Sequence, residues 1–148
     1  MNKSVKTVSV LGSTGSVGTQ ALDVIKELGL DVVMITGHKN IKLIAEQIKE
    51  FSPEIACVAD CDTARELEKM IGNCTTKVIF GEEQMSDALE AHCADVTVHA
   101  IAGLAGLASA LKASQTPTRL AMANKEAVIC AGTFWYLFLK DKQGKTPK

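Results

Sequence analysis

An excess of charge of either sign is missing from this 148-residue chain, which sets 16 Lys and Arg against 17 Asp and Glu for a net charge of -1. Without a basic surplus, nucleic-acid binding driven by bulk electrostatics is excluded as its main work. Aromatic residues are scarce, at 4%. No apolar run is long enough to span a bilayer. The longest, Ala127 to Leu139, is broken by Gly132 and Thr133. A secretory leader is not expected, because Met1 to Lys6 is polar and leads straight into a predicted strand. The five cysteines (Cys57, Cys61, Cys74, Cys93 and Cys130) are odd in number and irregularly spaced. That pattern argues against a disulfide framework and for reduced thiols in a cytoplasmic protein. Cys57 and Cys61 have the wrong spacing for a zinc knuckle and lack a second pair. Internal repeats, linkers and low-complexity segments are also missing, which leaves one domain large enough for a real core.

What is present begins with Val8-Ser9-Val10-Leu11-Gly12-Ser13-Thr14-Gly15-Ser16-Val17-Gly18. Thr7 to Leu11 is a short, β-branched apolar run and reads as a buried strand. Gly12, Gly15 and Gly18 follow at three-residue spacing. Val17, Ala21, Val24, Ile25 and Leu28 then recur at helical spacing, predicting that they form the buried face. A strand, a glycine turn and an amphipathic helix in that order mark a nucleotide-phosphate site. The helix N-terminus offers unpaired N–H groups and a favourable dipole. A side chain at Gly12 or Gly15 would block a pyrophosphate. Ser13, Thr14 and Ser16 add hydroxyls for capping the helix or binding phosphate oxygens. The same triplet would also serve an ordinary tight turn, and its spacing is G-x-x-G-x-x-G rather than G-x-G-x-x-G.

The pattern predicts strands at Val32–Thr36, Ile55–Val58, Lys77–Phe80, Val96–Ile101 and Leu120–Ala123. Helices are expected at Ile41–Phe51, Ala64–Ile71, about Gln84–His92, Leu104–Ala113 and Lys125–Leu139. Repeated βα units predict an α/β fold, a doubly wound parallel sheet with helices on both faces. Ligands of such sheets bind at the carboxyl ends of the strands. The loops to inspect therefore follow Leu11, Thr36, Ile101 and Ala123.

After the second strand, Thr36-Gly37-His38-Lys39-Asn40 carries no acid to accept a ribose 2′-hydroxyl. Lys39, with His38, would attract a 2′-phosphate, so NADP is favoured over NAD. Alternatively, Lys39 is a solvated loop lysine and Asn40 simply caps the next helix. Beyond the sixth strand lies Ala123-Asn124-Lys125-Glu126. Asn124 suits an N-cap and Glu126 the first turn, but a cation at Lys125 opposes the helix dipole. Lys125 is therefore read as waiting for an anion. The Ala102-Gly103 exit, with Gly106 a turn later, would let backbone lie close to a flat ring. His92 and His99 receive no role.

These blocks together resemble the 1-deoxy-D-xylulose 5-phosphate reductoisomerase family. The resemblance rests on Gly12 to Gly18 with Leu22-Asp23-Val24-Ile25, on Lys39-Asn40, on Ala100-Ile101-Ala102-Gly103-Leu104-Ala105-Gly106-Leu107 and on Ala123-Asn124-Lys125-Glu126. It covers the chain to about Gly132, giving a Rossmann-like NADPH-binding domain over 1–132 and a divergent or truncated tail over 133–148. The resemblance implies an NADPH-dependent, cytoplasmic enzyme of non-mevalonate isoprenoid biosynthesis, homodimeric, with Mg²⁺ or Mn²⁺. Its substrate would be the sugar phosphate 1-deoxy-D-xylulose 5-phosphate, rearranged and reduced to 2-C-methyl-D-erythritol 4-phosphate. By position, Thr14, Gly15, Ser16 and Val17 would line the pyrophosphate and His38, Lys39 and Asn40 would take the 2′-phosphate end. Asn124 and Glu126 would contact the cofactor, and Lys125 the substrate.

Three departures stand out. Ala108-Ser109-Ala110 replaces the family's Pro-Thr pair, and Ser114-Gln115-Thr116-Pro117-Thr118 replaces its Ala-Gly-Lys. The family's Asp-Ser-Glu-His metal motif is missing, and no Asp-x-Glu occurs in the chain. No metal ligand and no catalytic residue is therefore assigned, and binding of NADPH without turnover is expected. The Phe134-Trp135-Tyr136-Leu137-Phe138-Leu139 run departs from amphipathic spacing. It would be an altered reading frame or a bare apolar surface.

Two other readings stay open. One is a different NADP enzyme such as a semialdehyde dehydrogenase, since Asn73-Cys74-Thr75-Thr76 resembles the Cys-Thr-Thr of phosphorylating aldehyde dehydrogenases. Against it, Cys74 falls at the amino end of a predicted strand, with no evident histidine base. The other is a non-catalytic nucleotide-binding module.

Overall fold

The computed structural model describes residues 4–130 and Gly132. The aromatic tail at 133–148 lies outside the described residues. Among them six parallel strands form one sheet in the order β4-β3-β2-β1-β5-β6. They are β1 (Thr7–Leu11), β2 (Asp31–Thr36), β3 (Ile55–Val58), β4 (Lys77–Phe80), β5 (Val96–His99) and β6 (Arg119–Met122). The connecting helices are α1 (Ser16–Leu28), α2 (Ile41–Phe51), α3 (Cys61–Ile71), α4 (Gly81–Ala91) and α5 (Leu107–Gln115). A 3₁₀ turn at Leu104–Gly106 precedes α5, and α6 (Lys125–Cys130) follows β6. Among the described residues no helix is long and apolar enough to cross a membrane.

Strand alternation explains the two layers. In β1, Val8 and Val10 point to one face with Ile35, Ile44, Ile48 and Leu67, which α1, α2 and α3 cover. Leu11 joins the opposite face with Met34, Cys57, Met85, Leu89 and Ala113, under α4 and α5. The helices change sides because the chain, having run outward through β2, β3 and β4, returns to lay β5 on the other side of β1. Seven large apolar side chains, Val10, Leu11, Met34, Ile35, Ile44, Ile48 and Leu67, have essentially no exposure. Each contributes about 1.5–3 kcal/mol by leaving water.

At the amino edge, Asp95 ties the start of β1 to β5. Its Oδ2 accepts from Lys6 N (2.9 Å), Thr7 N (3.1 Å) and Thr7 Oγ1 (3.1 Å). This clamp holds the Val8↔Val96 register and with it the alignment of the two strand exits 15 Å or so away, at about 3.3 Å per residue.

The first strand, α2, β3 and β4 have the bounds that the pattern predicts. Elsewhere the structure differs. On α1 the buried residues are Gly18, Leu22 and Ile25, while Val17, Val24 and Leu28 are exposed. Gly18 fixes this rotation, because only a residue without Cβ can face Gly12. The strand β5 ends at His99, where the chain turns away through Ala100, and β6 sits one residue earlier than expected. The Leu104–Ala113 helix splits into the 3₁₀ turn and α5. The helix α3 starts three residues early because Asp60 caps it, its Oδ1 accepting Thr63 N at 2.8 Å. The helix α4 also starts early, from the left-handed Gly81 (φ +78°). The last helix is described to Cys130, and its expected extension to Leu139 lies outside the described residues.

A Cβ placed on Gly18 would lie 2.0 Å from the Gly12 carbonyl oxygen, whereas one on Gly29 would meet nothing within 4 Å. Gly18→Ala should therefore lower unfolding free energy by about 2–3 kcal/mol through overpacking. Gly29→Ala, at φ +64°, should lose only about 1 kcal/mol through backbone strain. Urea denaturation of both variants checks the difference.

Candidate functional site

A cleft of about 460 Å³ opens at the carboxyl edge of the sheet. One wall is the β1 exit with Gly12, Thr14 and Gly15. The opposite wall is the β5 exit with Ala100, Ile101, Ala102, Ala105 and Ser109. Thr36, Gly37 and His38 extend it along β2, and Cys57, Met85 and Glu82 lie beyond. The cleft thus sits where the strand order reverses, the place such sheets reserve for ligands.

The three glycines have three separate reasons. Gly12 is left-handed (φ +84°), and a Cβ there would lie 2.9 Å from the Ala100 and Ile101 backbone. Gly18 packs α1 against the turn. Gly15 has no such neighbour, since its Cβ would meet nothing closer than 3.5 Å. The protein itself does not need glycine at position 15; the open space belongs to the cleft. Gly15 is also the N-cap of α1, and no side chain caps that helix. Its first N–H groups, at the exposed Ser16 and Val17, have no intrahelical acceptor, as a phosphate requires.

Ser13 departs from its expected role. It is fully buried, its hydroxyl 2.7 Å from Gln47 Oε1 and 3.2 Å from the Thr36 carbonyl oxygen, while Gln47 Nε2 donates back to Ser13 O at 2.9 Å. It neither caps α1 nor reaches a phosphate; it fastens the turn to α2. Thr36 completes the fastening, its Oγ1 accepting Gly12 N at 2.8 Å and its carbonyl accepting Ser13 N at 2.8 Å. Thr36 and Gln47 were not legible as site residues, because their role depends on strand register rather than residue type.

His38 lines the cleft. Lys39 and Asn40 are exposed beside it. Asn40 Oδ1 accepts Leu43 N at 3.4 Å, so this side chain caps α2. Gly37 N donates to Cys57 O at 3.0 Å, which holds the β2 and β3 exits side by side. Across that join, Lys39 helps to hold the Asp60 carboxyl below its usual range, after the larger effect of hydrogen bonds from Thr63. Burial pushes the Cys57 thiol up to about 12, so it is a wall residue and not a nucleophile.

Asn124 is buried, and its Nδ2 donates to Ile101 O (2.6 Å) and Gly103 O (2.8 Å). It therefore holds the β5 exit loop from behind. Lys125 and Glu126 follow it, exposed at the start of α6. Gly106 turns out to serve the interior and not a flat ligand. A Cβ there would lie 2.7 Å from Ile101 O, 2.8 Å from His99 Cε1 and 3.0 Å from Asn124 Nδ2. His99 is fully buried, with Nε2 2.9 Å from Ser109 Oγ and Nδ1 without a partner. Cys74 lies before β4 at the amino edge, away from the cleft. Hydrogen bonds from Thr76 lower its thiol pKa, but no cleft residue adjoins it. Among the described residues no group of three or more His, Cys, Asp or Glu could hold a metal ion.

Burial lowers the His99 pKa below its ordinary value. The unfolded chain then binds this proton more readily than the folded one, so the associated stability is present above the ordinary histidine pKa of about 6.5 and is lost as pH falls below it. The melting temperature should be lower at pH 5.5 than at pH 7.5, and His99→Gln should flatten that part of the curve in calorimetry.

Residues 8–132 match the family model described as 1-deoxy-D-xylulose 5-phosphate reductoisomerase. The reductoisomerase of Lachnospira eligens is 36% identical over 129 residues, covering 86% of this chain and 34% of that protein. That of Caldanaerobacter subterraneus is 36% identical over 141 residues, covering 94% and 36%. The chain therefore spans about a third of the length of the curated relatives it matches. Among solved structures, the Zymomonas mobilis reductoisomerase in complex with NADPH superposes with a TM-score of 0.82 at 32% identity, over 88% of this chain and 35% of that one. A reductoisomerase in complex with NADPH, fosmidomycin and magnesium gives 0.80 at 28%, over 86% and 32%. The strand–glycine turn–helix, the reversal at β1 and β5 and these matches agree, and the chain belongs to the 1-deoxy-D-xylulose 5-phosphate reductoisomerase family.

Proposed function

We propose that this chain is the NADPH-binding portion of a reductoisomerase that converts 1-deoxy-D-xylulose 5-phosphate to 2-C-methyl-D-erythritol 4-phosphate. The observation that carries the reading is Gly15: a glycine with room for a side chain, at the uncapped start of α1, facing a cleft at the reversal of strand order. Thr14, Gly15, Ser16 and Val17 take the pyrophosphate, with the Ser16 and Val17 N–H groups donating to its oxygens. His38, Lys39 and Asn40 form the 2′-phosphate end, where the cation of Lys39 supplies the attraction and Asn40 fixes the loop through its cap. Asn124 shapes the wall beside the nicotinamide end, Glu126 contacts the cofactor, and Lys125 reaches toward the substrate. NADPH when bound supplies a hydride. What the chain's own residues do is bind and orient it against the β5 exit.

Magnesium is present in related complexes, but among the described residues no group of three or more His, Cys, Asp or Glu could hold a metal ion. The chain alone is therefore expected to bind NADPH without reducing the sugar phosphate. Its location is the cytoplasm on this reading, with a homodimer as the assembly.

Titration with NADPH and NADH tests the reading. NADPH should bind more tightly, and Lys39→Ala should erase roughly five- to tenfold of that preference, as a partly solvated charge–phosphate contact of about 1 kcal/mol would. Equal affinity for the two nucleotides in the unmodified chain would contradict the 2′-phosphate assignment. Gly15→Ala should leave the circular dichroism spectrum and melting temperature nearly unchanged yet weaken NADPH at least tenfold. A variant that binds normally would show that the space at Gly15 is not a phosphate site.

A further inference from the structure

His99 is buried directly behind one wall of the cleft, against Ser109 of that wall. Ser109 Oγ donates its one proton to Gly106 O at 3.1 Å, so toward the ring it can only accept. The imidazole Nε2 lies 2.9 Å from the same hydroxyl, and with Ser109 donating to Gly106 O the ring would be its donor. Its Nδ1 is a bare acceptor, buried and unpartnered. An aliphatic side chain would fill this place without burying an unpaired nitrogen. The ring instead starts a relay, His99 to Ser109 to Gly106, that ends in the Leu104–Gly106 turn. Ala105 of that turn and Ser109 itself line the cleft opposite Gly12 and Gly15. Gly106, with no room for a Cβ, sits between His99, Ile101 and Asn124. The turn is thus held from one side by Asn124 and from the other by the histidine relay.

We propose that His99 is a positioning residue of the cleft: its neutral ring, acting through Ser109, holds the Leu104–Gly106 turn in place as the wall against which the nucleotide lies. The proposal rests on the nucleotide-binding reading of the cleft. Protonation would put a hydrogen on both ring nitrogens of a buried side chain whose Nδ1 has no partner. Its partners in the sheet register are Leu11 of β1 and Met122 of β6, Ser109 faces it from α5 and Gly106 from the 3₁₀ turn, all uncharged. Burial lowers its pKa and outweighs backbone hydrogen bonds at His99 and Gly106 that raise it. A charged ring must leave this place or drag Ser109 with it, and either displaces the turn.

Two readouts on the whole chain test this. The first is the ¹⁵N–¹H shifts of Leu104 and Gly106 between pH 7.5 and 5.5. The second is NADPH affinity over the same range, compared between wild type and His99→Gln. Glutamine keeps a donor for Ser109 and does not titrate. Any pH effect that does not arise at position 99 is common to both proteins and cancels. The wild-type turn amides should move with the His99 ring protons, and affinity should fall at least threefold further than in His99→Gln. Ser109→Ala, which cuts the relay without touching the ring, should uncouple the amides from pH and weaken NADPH severalfold at pH 7.5. Turn amides that ignore His99 titration, or identical affinity profiles in the two proteins, would overturn the proposal. If no nucleotide binds at any pH, the reading of the cleft fails. The amide shifts alone then decide whether His99 holds the turn.

Discussion

The structure depends on the close passage of the β1 exit across the β5 exit. At Gly12 the chain leaves β1 in a left-handed conformation, within 2.9 Å (measured to an ideal Cβ) of the Ala100–Ile101 backbone. No side chain fits there. The turn that follows, with Thr14 and Gly15, lines the cleft, and α1 starts directly after it without a side-chain cap. The passage also demands Gly18, because α1 must then cross back over the Gly12 carbonyl. Cleft, helix direction and the core face of α1 all follow from the same contact.

Two hydrogen-bonded frames keep that contact in place. On the β2 side, Thr36, Ser13 and Gln47 tie the glycine turn to α2 with bonds of 2.7 to 3.2 Å. On the β5 side, Asn124 and the His99–Ser109 pair grip the loop from Ile101 to Gly106. Every one of these groups is neutral, and all are buried or nearly so, where a satisfied polar network is rigid and an unsatisfied one is costly. The charged residues Lys39, Lys125 and Glu126 remain exposed to solvent. At the other edge of the sheet, Asp95 fixes the register from which these alignments are built.

Much of this was legible in the sequence. Strand and helix alternation gave the layers, because β-branched runs and 3.6-residue spacing are local signals. The glycine turn was legible for the same reason. What stayed hidden depends on three-dimensional neighbours. Val17, Val24 and Leu28 share the spacing of Ile25, yet the fit of Gly18 against Gly12 turns α1 so that Ile25 is buried with Leu22 while those three are exposed. Ser13 reads as a phosphate ligand by type, but Gln47, 34 residues later, claims its hydroxyl. His99 carries no motif, and only its pairing with Ser109 gives it a role. Asp60 caps α3 with little sequence signal, because a polar residue before a weakly apolar helix carries little contrast.

The central claim is that a dinucleotide lies across the β1 and β5 exits. The most direct measurement is a map of backbone amide shifts on adding NADPH to the ¹⁵N-labelled chain. The account predicts that the largest changes fall at Gly15, Ser16 and Val17, at Gly37 and His38, and from Ala100 to Ala105. It predicts little change at Asp95, Lys77 and Arg119 on the opposite edge. Changes concentrated at that opposite edge, or a folded chain whose glycine-turn amides do not respond at saturating NADPH, would contradict it.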